Sequence, residues 1–160
     1  MINVSAACAA CGGSLTTRSY EHVESVAGVK VKDATGFLPQ CQKCGEVELD
    51  TRQLAGYQRR AAAVVLRDAK TLPGGAVKYA RKALGLSQVD LATLLGIEPE
   101  TLSRYETERL PIPSASRLAI VALLDGAEQG LDIKSLVERE RAGRPSLTEM
   151  YVLPPTRRVS

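Results

Sequence analysis

The sequence predicts an α+β chain: a small β-rich segment at the N-terminus, a linking helix, and a five-helix bundle at the C-terminus. Three observations carry this expectation. The four cysteines form two C-x2-C pairs, Cys8/Cys11 and Cys41/Cys44, with short β-branched runs between them. Apolar residues recur at helical spacing through TRQLAGYQRRAAAVVLRDAK. Beyond Pro73-Gly74-Gly75 the chain divides into short helical patterns separated by Gly and Pro.

Composition bounds the function classes. The 160 residues are 44% hydrophobic and 24% charged, which describes a globular chain of one domain or two small ones. Aromatics make up 4%, with no Trp and one Phe, so Leu, Val, Ile and Ala must build the cores. There is no run of about 18 apolar residues, so no membrane span is expected. The start MINVSAACAACGG lacks the charged and apolar regions of a signal peptide, so a cytoplasmic protein is expected. The net charge of +3 is spread evenly; over 70–125, 7 basic residues face 6 acidic ones. A binder that relies on bulk positive charge is excluded. If the chain grips DNA, it does so through a few placed residues.

The cysteines come first along the chain. A tetrahedral zinc ion takes four soft ligands, and C-x2-C lets one tight turn offer two thiolates. A Gly follows each second cysteine, in CAACGG and CQKCGE, and permits the chain to curl round the sulfurs. Cys8, Cys11, Cys41 and Cys44 are therefore the expected ligands of one structural Zn2+ per chain. Disulfides compete with this reading, but a reducing cytoplasm disfavours them. A redox pair explains one C-x-x-C and not two. Between the pairs, YEHVESV and VKVKDA read as strands, with Ala27-Gly28 as the turn. His22, the only histidine, reads as a solvent-facing strand residue rather than a fifth ligand. A segment this poor in core residues needs the metal as a staple.

The ribbon domain is expected over 1–49. Asp50 with Gln53 marks a helix start, and one linking helix is expected within 50–72. Its basic cluster, Arg59, Arg60 and Arg67, reads as a solvated face. Pro73-Gly74-Gly75 is the expected domain boundary and hinge.

The C-terminal domain, 73–142, opens with AVKYARKALG as its first helix. Ser87 caps the next, QVDLATLLG, with Asp90 three residues on; Leu91, Leu94 and Leu95 face inward. Gly96 suits the left-handed residue that ends a helix. Pro99 suits the first turn of the third helix, in which Leu102 and Tyr105 point to the core. PIPSASRLAIVALLDG, with a Ser cap, and DIKSLVERERAG supply the fourth and fifth. Each is marginal alone. Packed together, the second and third make a helix-turn-helix. The tail, 143–160, is expected to be disordered.

The segment from about 73 to 126 resembles an Xre/Cro-type helix-turn-helix domain. The resemblance rests on Arg81, Leu84, Gly85, the LSQ at 86–88, Leu91, Ala92, Leu95, Gly96 and the LSRYE at 102–106. With the paired C-x2-C motifs before it, the order of parts resembles the MqsA-like (YgiT-type zinc-finger) antitoxins, from residue 8 to 126. That resemblance implies a zinc domain that binds a cognate toxin. It also implies a helical domain that forms a homodimer on double-stranded operator DNA and represses its own operon. Arg81 and Glu106 are implied to form a structural ion pair, and Gln88 to hydrogen-bond a phosphate.

On the third helix of the domain, Glu100, Thr101, Ser103 and Arg104 are left outward as DNA-contacting candidates. Arg104 is the strongest, because a guanidinium can grip guanine O6 and N7 together. Arg109, just past the helix, is a weaker phosphate candidate. Glu100 departs from the amide-bearing residue of the resembling antitoxins. It either accepts from cytosine N4 or only complements the helix dipole. The alternative function is a zinc-ribbon transcription regulator with no toxin partner. An enzyme, such as a thiol oxidoreductase or zinc hydrolase, is disfavoured by four closed thiolates, one His and no paired acid–base motif.

Overall fold

The computed structural model describes residues 7–143. The expected tail at 143–160 lies, from residue 144 on, outside the described residues. Two long strands, β1 (Leu15–Val26) and β2 (Val29–Cys41), are followed by six helices. These are α1 (Thr51–Asp68), α2 (Ala76–Ala83), α3 (Gln88–Leu95), α4 (Pro99–Glu106), α5 (Ser114–Glu128) and α6 (Ile133–Ala142). The α+β class and the five-helix bundle, α2 to α6, are as the sequence predicts.

The strands pair antiparallel from Leu15↔Cys41 to Val26↔Val29, with a shift in register between Tyr20 and His22. They are longer than the two short runs read from sequence. Ala27 (φ 48°) and Gly28 (φ 87°) make the two-residue turn, both with the positive φ that matches strand twist. A single bridge, Gln40↔Val47, adds a third short segment at the cysteine end. A hairpin of this length spans roughly 35 Å. The cysteines lie at one end and the turn at the other.

Asp50 caps α1 in a reciprocal box with Gln53, bonding at 2.7 and 3.1 Å. From there α1 runs back along the hairpin, and their contact mixes polar, aromatic and apolar groups. His22 faces α1, stacked on Tyr57 at 4.5 Å between ring centroids, and its Nε2 lies 3.1 Å from Glu24. The expectation of a solvent-facing His22 is thus corrected: it shares the alternating face of β1 with the buried Val26, and α1 covers that face. The arginines of α1 do more than line a solvated face: Arg60 and Arg67 stay exposed, but all three are ion-paired. Arg60 donates to Asp33 of β2 (2.7 Å) and Glu128 of α5 (2.9 Å). Arg59 pairs with Glu128 and Arg67 with Asp125, each at 2.6 Å.

One apolar cluster runs through all the helices. Ala61, Ala62, Val65 and Leu66 of α1 join Val77, Ala80, Leu91, Leu102, Ile120 and Leu124, and Val26 at the hairpin turn enters the same cluster. The break at Pro73–Gly75 therefore does not separate two cores. Arg117 of α5 reinforces the join. Its guanidinium donates to the carbonyls of Leu66, Arg67 and Ala69, the orphan acceptors at the end of α1. The expected Ser cap of α5 is replaced by Pro113, whose extended backbone starts the helix without a side-chain bond.

Candidate metal centre and nucleic-acid interface

The four sulfurs converge. Cys8, Cys11, Cys41 and Cys44 place their Sγ atoms all within 4.8 Å of one another. Cys8–Cys44 are 3.7 Å apart and Cys11–Cys41 3.5 Å. A regular tetrahedron around zinc has sulfur edges of about 3.8 Å, from a Zn–S bond of about 2.3 Å. The close pairs join one knuckle to the other, at far more than the roughly 2 Å of a disulfide. These four thiols can hold one metal ion such as zinc.

The two knuckles share one backbone pattern. Cys8 N–H donates to Gly13 O, and Cys41 N–H to Glu46 O, both at 2.8 Å. Gly12 N–H returns to Cys8 O (2.8 Å), and Gly45 N–H to Cys41 O (3.0 Å). Gly12 and Gly45 hold φ of +68° and +77°, which explains the Gly after each second cysteine. Gly13 answers a different need. A Cβ there would come within 3.0 Å of Cys41 Sγ and 2.9 Å of Lys43 Cβ. It is the point where the knuckles touch.

The sulfurs are electrostatically unequal. Backbone N–H groups of Cys44 and Lys43 bring the Cys41 thiol down to about 6. The Gly13 N–H lowers Cys11, but the neighbouring thiols Cys44 and Cys41 outweigh it and push Cys11 up to about 12. The backbone donors thus favour the thiolate at Cys41 over Cys11. Outside the sulfurs, Glu48 accepts from Ala9 N–H at 3.0 Å and so steadies the first knuckle. His22 belongs to the α1 contact and not to this cluster.

The second candidate surface lies on α3 and α4. Ser87 and Asp90 cap α3 reciprocally, and Gly96 ends it in the left-handed conformation (φ 64°). Leu91 and Ala92 are fully packed, so α4 crosses closely. Pro99 opens α4, and Leu102 and Tyr105 are its buried face. Glu100, Arg104 and Arg109 are exposed, and Thr101 and Ser103 half-buried. Arg104 enters no ion pair among the described residues, so its guanidinium is available to a partner.

Behind α4 sits the ion pair. Glu106 is 5% exposed, and Arg81 of α2 bonds it through Nε (2.6 Å) and Nη2 (3.2 Å). Arg81 Nη1 also donates to Leu86 O at 2.9 Å, tying the turn before α3 into the pair. Gln88 is drawn into the same group: its Nε2 donates to Glu106 Oε2 at 2.8 Å. Sequence reasoning gave Gln88 a phosphate and missed this bond. The LSQ and LSRYE motifs, which bring Gln88 and Glu106 together, were the signal. Arg141 of α6, also missed, reaches Asp90 Oδ1 at 2.6 Å.

Among the described residues, no helix is long and apolar enough to cross a membrane. A search of curated proteins finds no match to this chain. Residues 77–126, from within α2 to within α5, match the Helix-turn-helix family, so this part of the chain is similar to DNA-binding regulator domains of the Xre type.

Proposed function

We propose that this chain is an MqsA-like antitoxin: a transcription regulator whose N-terminal unit holds one structural Zn2+ and binds a cognate toxin. Its helical unit represses its own operon as a homodimer on double-stranded operator DNA. The reading divides the chain into a zinc ribbon (1–49), a connecting helix (50–72) and a DNA-binding and dimerisation unit (73–142), in a cytoplasmic protein. The observation that carries it is the order of parts. A four-thiolate cluster lies upstream of an Xre-type helix-turn-helix.

On the DNA, Arg104 grips a guanine edge, with Thr101, Ser103 and Glu100 beside it on the exposed side of α4. Gln88 and Arg109 face phosphates. Gln88 can do so while bonded to Glu106, because an amide nitrogen carries two hydrogens. The homodimer supplies two half-sites, as helix-turn-helix proteins usually require.

The regulator without a toxin partner is the second reading, favoured by a family match confined to 77–126. Co-expression with the product of the adjacent reading frame separates the two. An antitoxin co-purifies with that product, suppresses its toxicity, and shifts DNA from upstream of its own gene. A chain that shifts the DNA but neither binds nor protects against the neighbour is the plain regulator. A chain that does not shift the DNA is neither.

A further inference from the structure

The helix-turn-helix match ends at residue 126, and α6 lies beyond it. Yet α6 is packed against α3, and its last turn lies by the start of that helix. Arg141 Nη2 donates to Asp90 Oδ1 at 2.6 Å. The other carboxylate oxygen, Asp90 Oδ2, accepts from Ser87 Oγ (2.6 Å) and Ser87 N–H (3.1 Å). A single carboxylate thus joins the Arg141 guanidinium to the N-cap of α3. The first helix of a helix-turn-helix crosses the DNA backbone, and helix N-termini are common phosphate contacts.

We propose that Arg141 is a DNA-phosphate contact, held beside the N-terminus of α3 by Asp90, so that the protein's grip on the duplex extends from the helix-turn-helix onto α6. The proposal rests on the reading that α3 lies along the DNA backbone. Three observations support the residue itself. The Arg141 side chain is 54% exposed, so most of the guanidinium faces solvent with donors to spare. Its one bond to Asp90 fixes the direction in which those donors point. Asp90 is only 22% exposed, so Arg141 covers a carboxylate that would otherwise repel the backbone. Lys134 and Glu138 line the same groove between α3 and α6 and offset each other in charge.

The alternative is that Arg141 only staples α6 to α3. The two roles separate in the salt dependence of binding to a short mixed-sequence DNA duplex, which needs no operator. Each phosphate contact adds about 0.9 to the slope of log K against log salt. With the full chain, Arg141→Gln is expected to flatten that slope by about one per bound chain and weaken binding several-fold at low salt. Arg141→Lys should restore the slope. Arg139→Gln removes the same charge from a position about 200° round α6 and should leave the slope unchanged. If Arg141→Gln keeps the wild-type slope, or Arg139→Gln flattens it equally, the phosphate contact is overturned while the DNA-binding reading stands. If the unaltered chain does not bind the duplex at any salt concentration, both fall.

Discussion

The hairpin segment and the helical bundle are held together by different means. Among the described side chains of residues 7–49, the buried apolar ones are Cys8, Val26, Leu38, Pro39 and Cys41. Two of these are metal-ligand candidates, and Val26 belongs to the core of the helices. What remains is Leu38 and Pro39, too little to order some forty residues against their conformational entropy. The bundle buries side chains from all six helices in one continuous cluster. It also carries a buried ion pair, Arg81–Glu106, whose side chains are 11% and 2% exposed. The comparison teaches that the N-terminal end depends on coordination chemistry and the C-terminal end on packing. A perturbation of one should therefore spare much of the other.

The largest expected effect is on the metal. Removing it with a chelator, or replacing Cys41 with Ser, should melt the cysteine end of the hairpin. Structural zinc sites in small domains supply on the order of 10 kcal/mol. Metal analysis should find about one zinc per chain before treatment. Amide exchange should show protection lost around Cys8–Gly13 and Cys41–Glu46 and kept in α3 and α4. Equal loss of protection in both regions would break the comparison.

Next comes Arg81→Ala, which strands Glu106 without its cation. Breaking a buried pair by removing one partner costs about 3–5 kcal/mol. A thermal melt should show this loss with zinc content unchanged. Gln88 alone cannot replace the guanidinium, because its amide carries no charge.

Arg104→Ala should do the reverse. As an exposed residue outside any ion pair, its loss should change stability by no more than about 0.5 kcal/mol. Operator affinity should fall by about 1–3 kcal/mol for each half-site that loses its guanine contact. A melt and a titration on the same preparation separate these outcomes.

The smallest effect is a pH dependence. Burial raises the Glu24 carboxyl, but the His22 ring beside it outweighs this and leaves Glu24 below the usual range. The Ser87 hydroxyl, with Arg141, lowers Asp90 despite its desolvation. Both groups are more acidic folded than unfolded, so their stabilisation is complete at neutral pH. It is lost as pH falls through the carboxylate range, below about 4.5. Acid titration of Glu24→Gln should show a shallower loss there than the unaltered chain.

Local features were legible in the sequence because local chemistry dictates them. The paired C-x2-C motifs with their glycines, the Asp50 and Ser87 caps, Gly96 and Pro99 each fix a backbone geometry within a few residues. The inward Leu102 and Tyr105 follow from helical periodicity. What was misread or missed depends on contacts across the chain. His22 turns inward because it shares the alternating face of β1 with the buried Val26, and α1 lies over that face. Arg59, Arg60 and Arg67 look like a solvated face until α5 brings Glu128 and Asp125 against them. Gln88 and Arg141 find carboxylates 18 and 51 residues away, beyond the reach of any periodicity. The Pro-Gly-Gly break reads as a hinge because sequence shows the break in the helix and not the Arg117 clamp over it.

The central claim is that the metal supports the cysteine end of the hairpin while the helix-turn-helix stands on its own packing. Its most direct test is duplex-DNA binding by the full chain before and after zinc is stripped under reducing conditions, with helical circular dichroism followed alongside. The account predicts that the metal-free chain keeps its helical signal and binds the duplex with the affinity and salt slope of the zinc-loaded form. Collapse of the helical signal on zinc removal, with DNA binding lost in step, would contradict it.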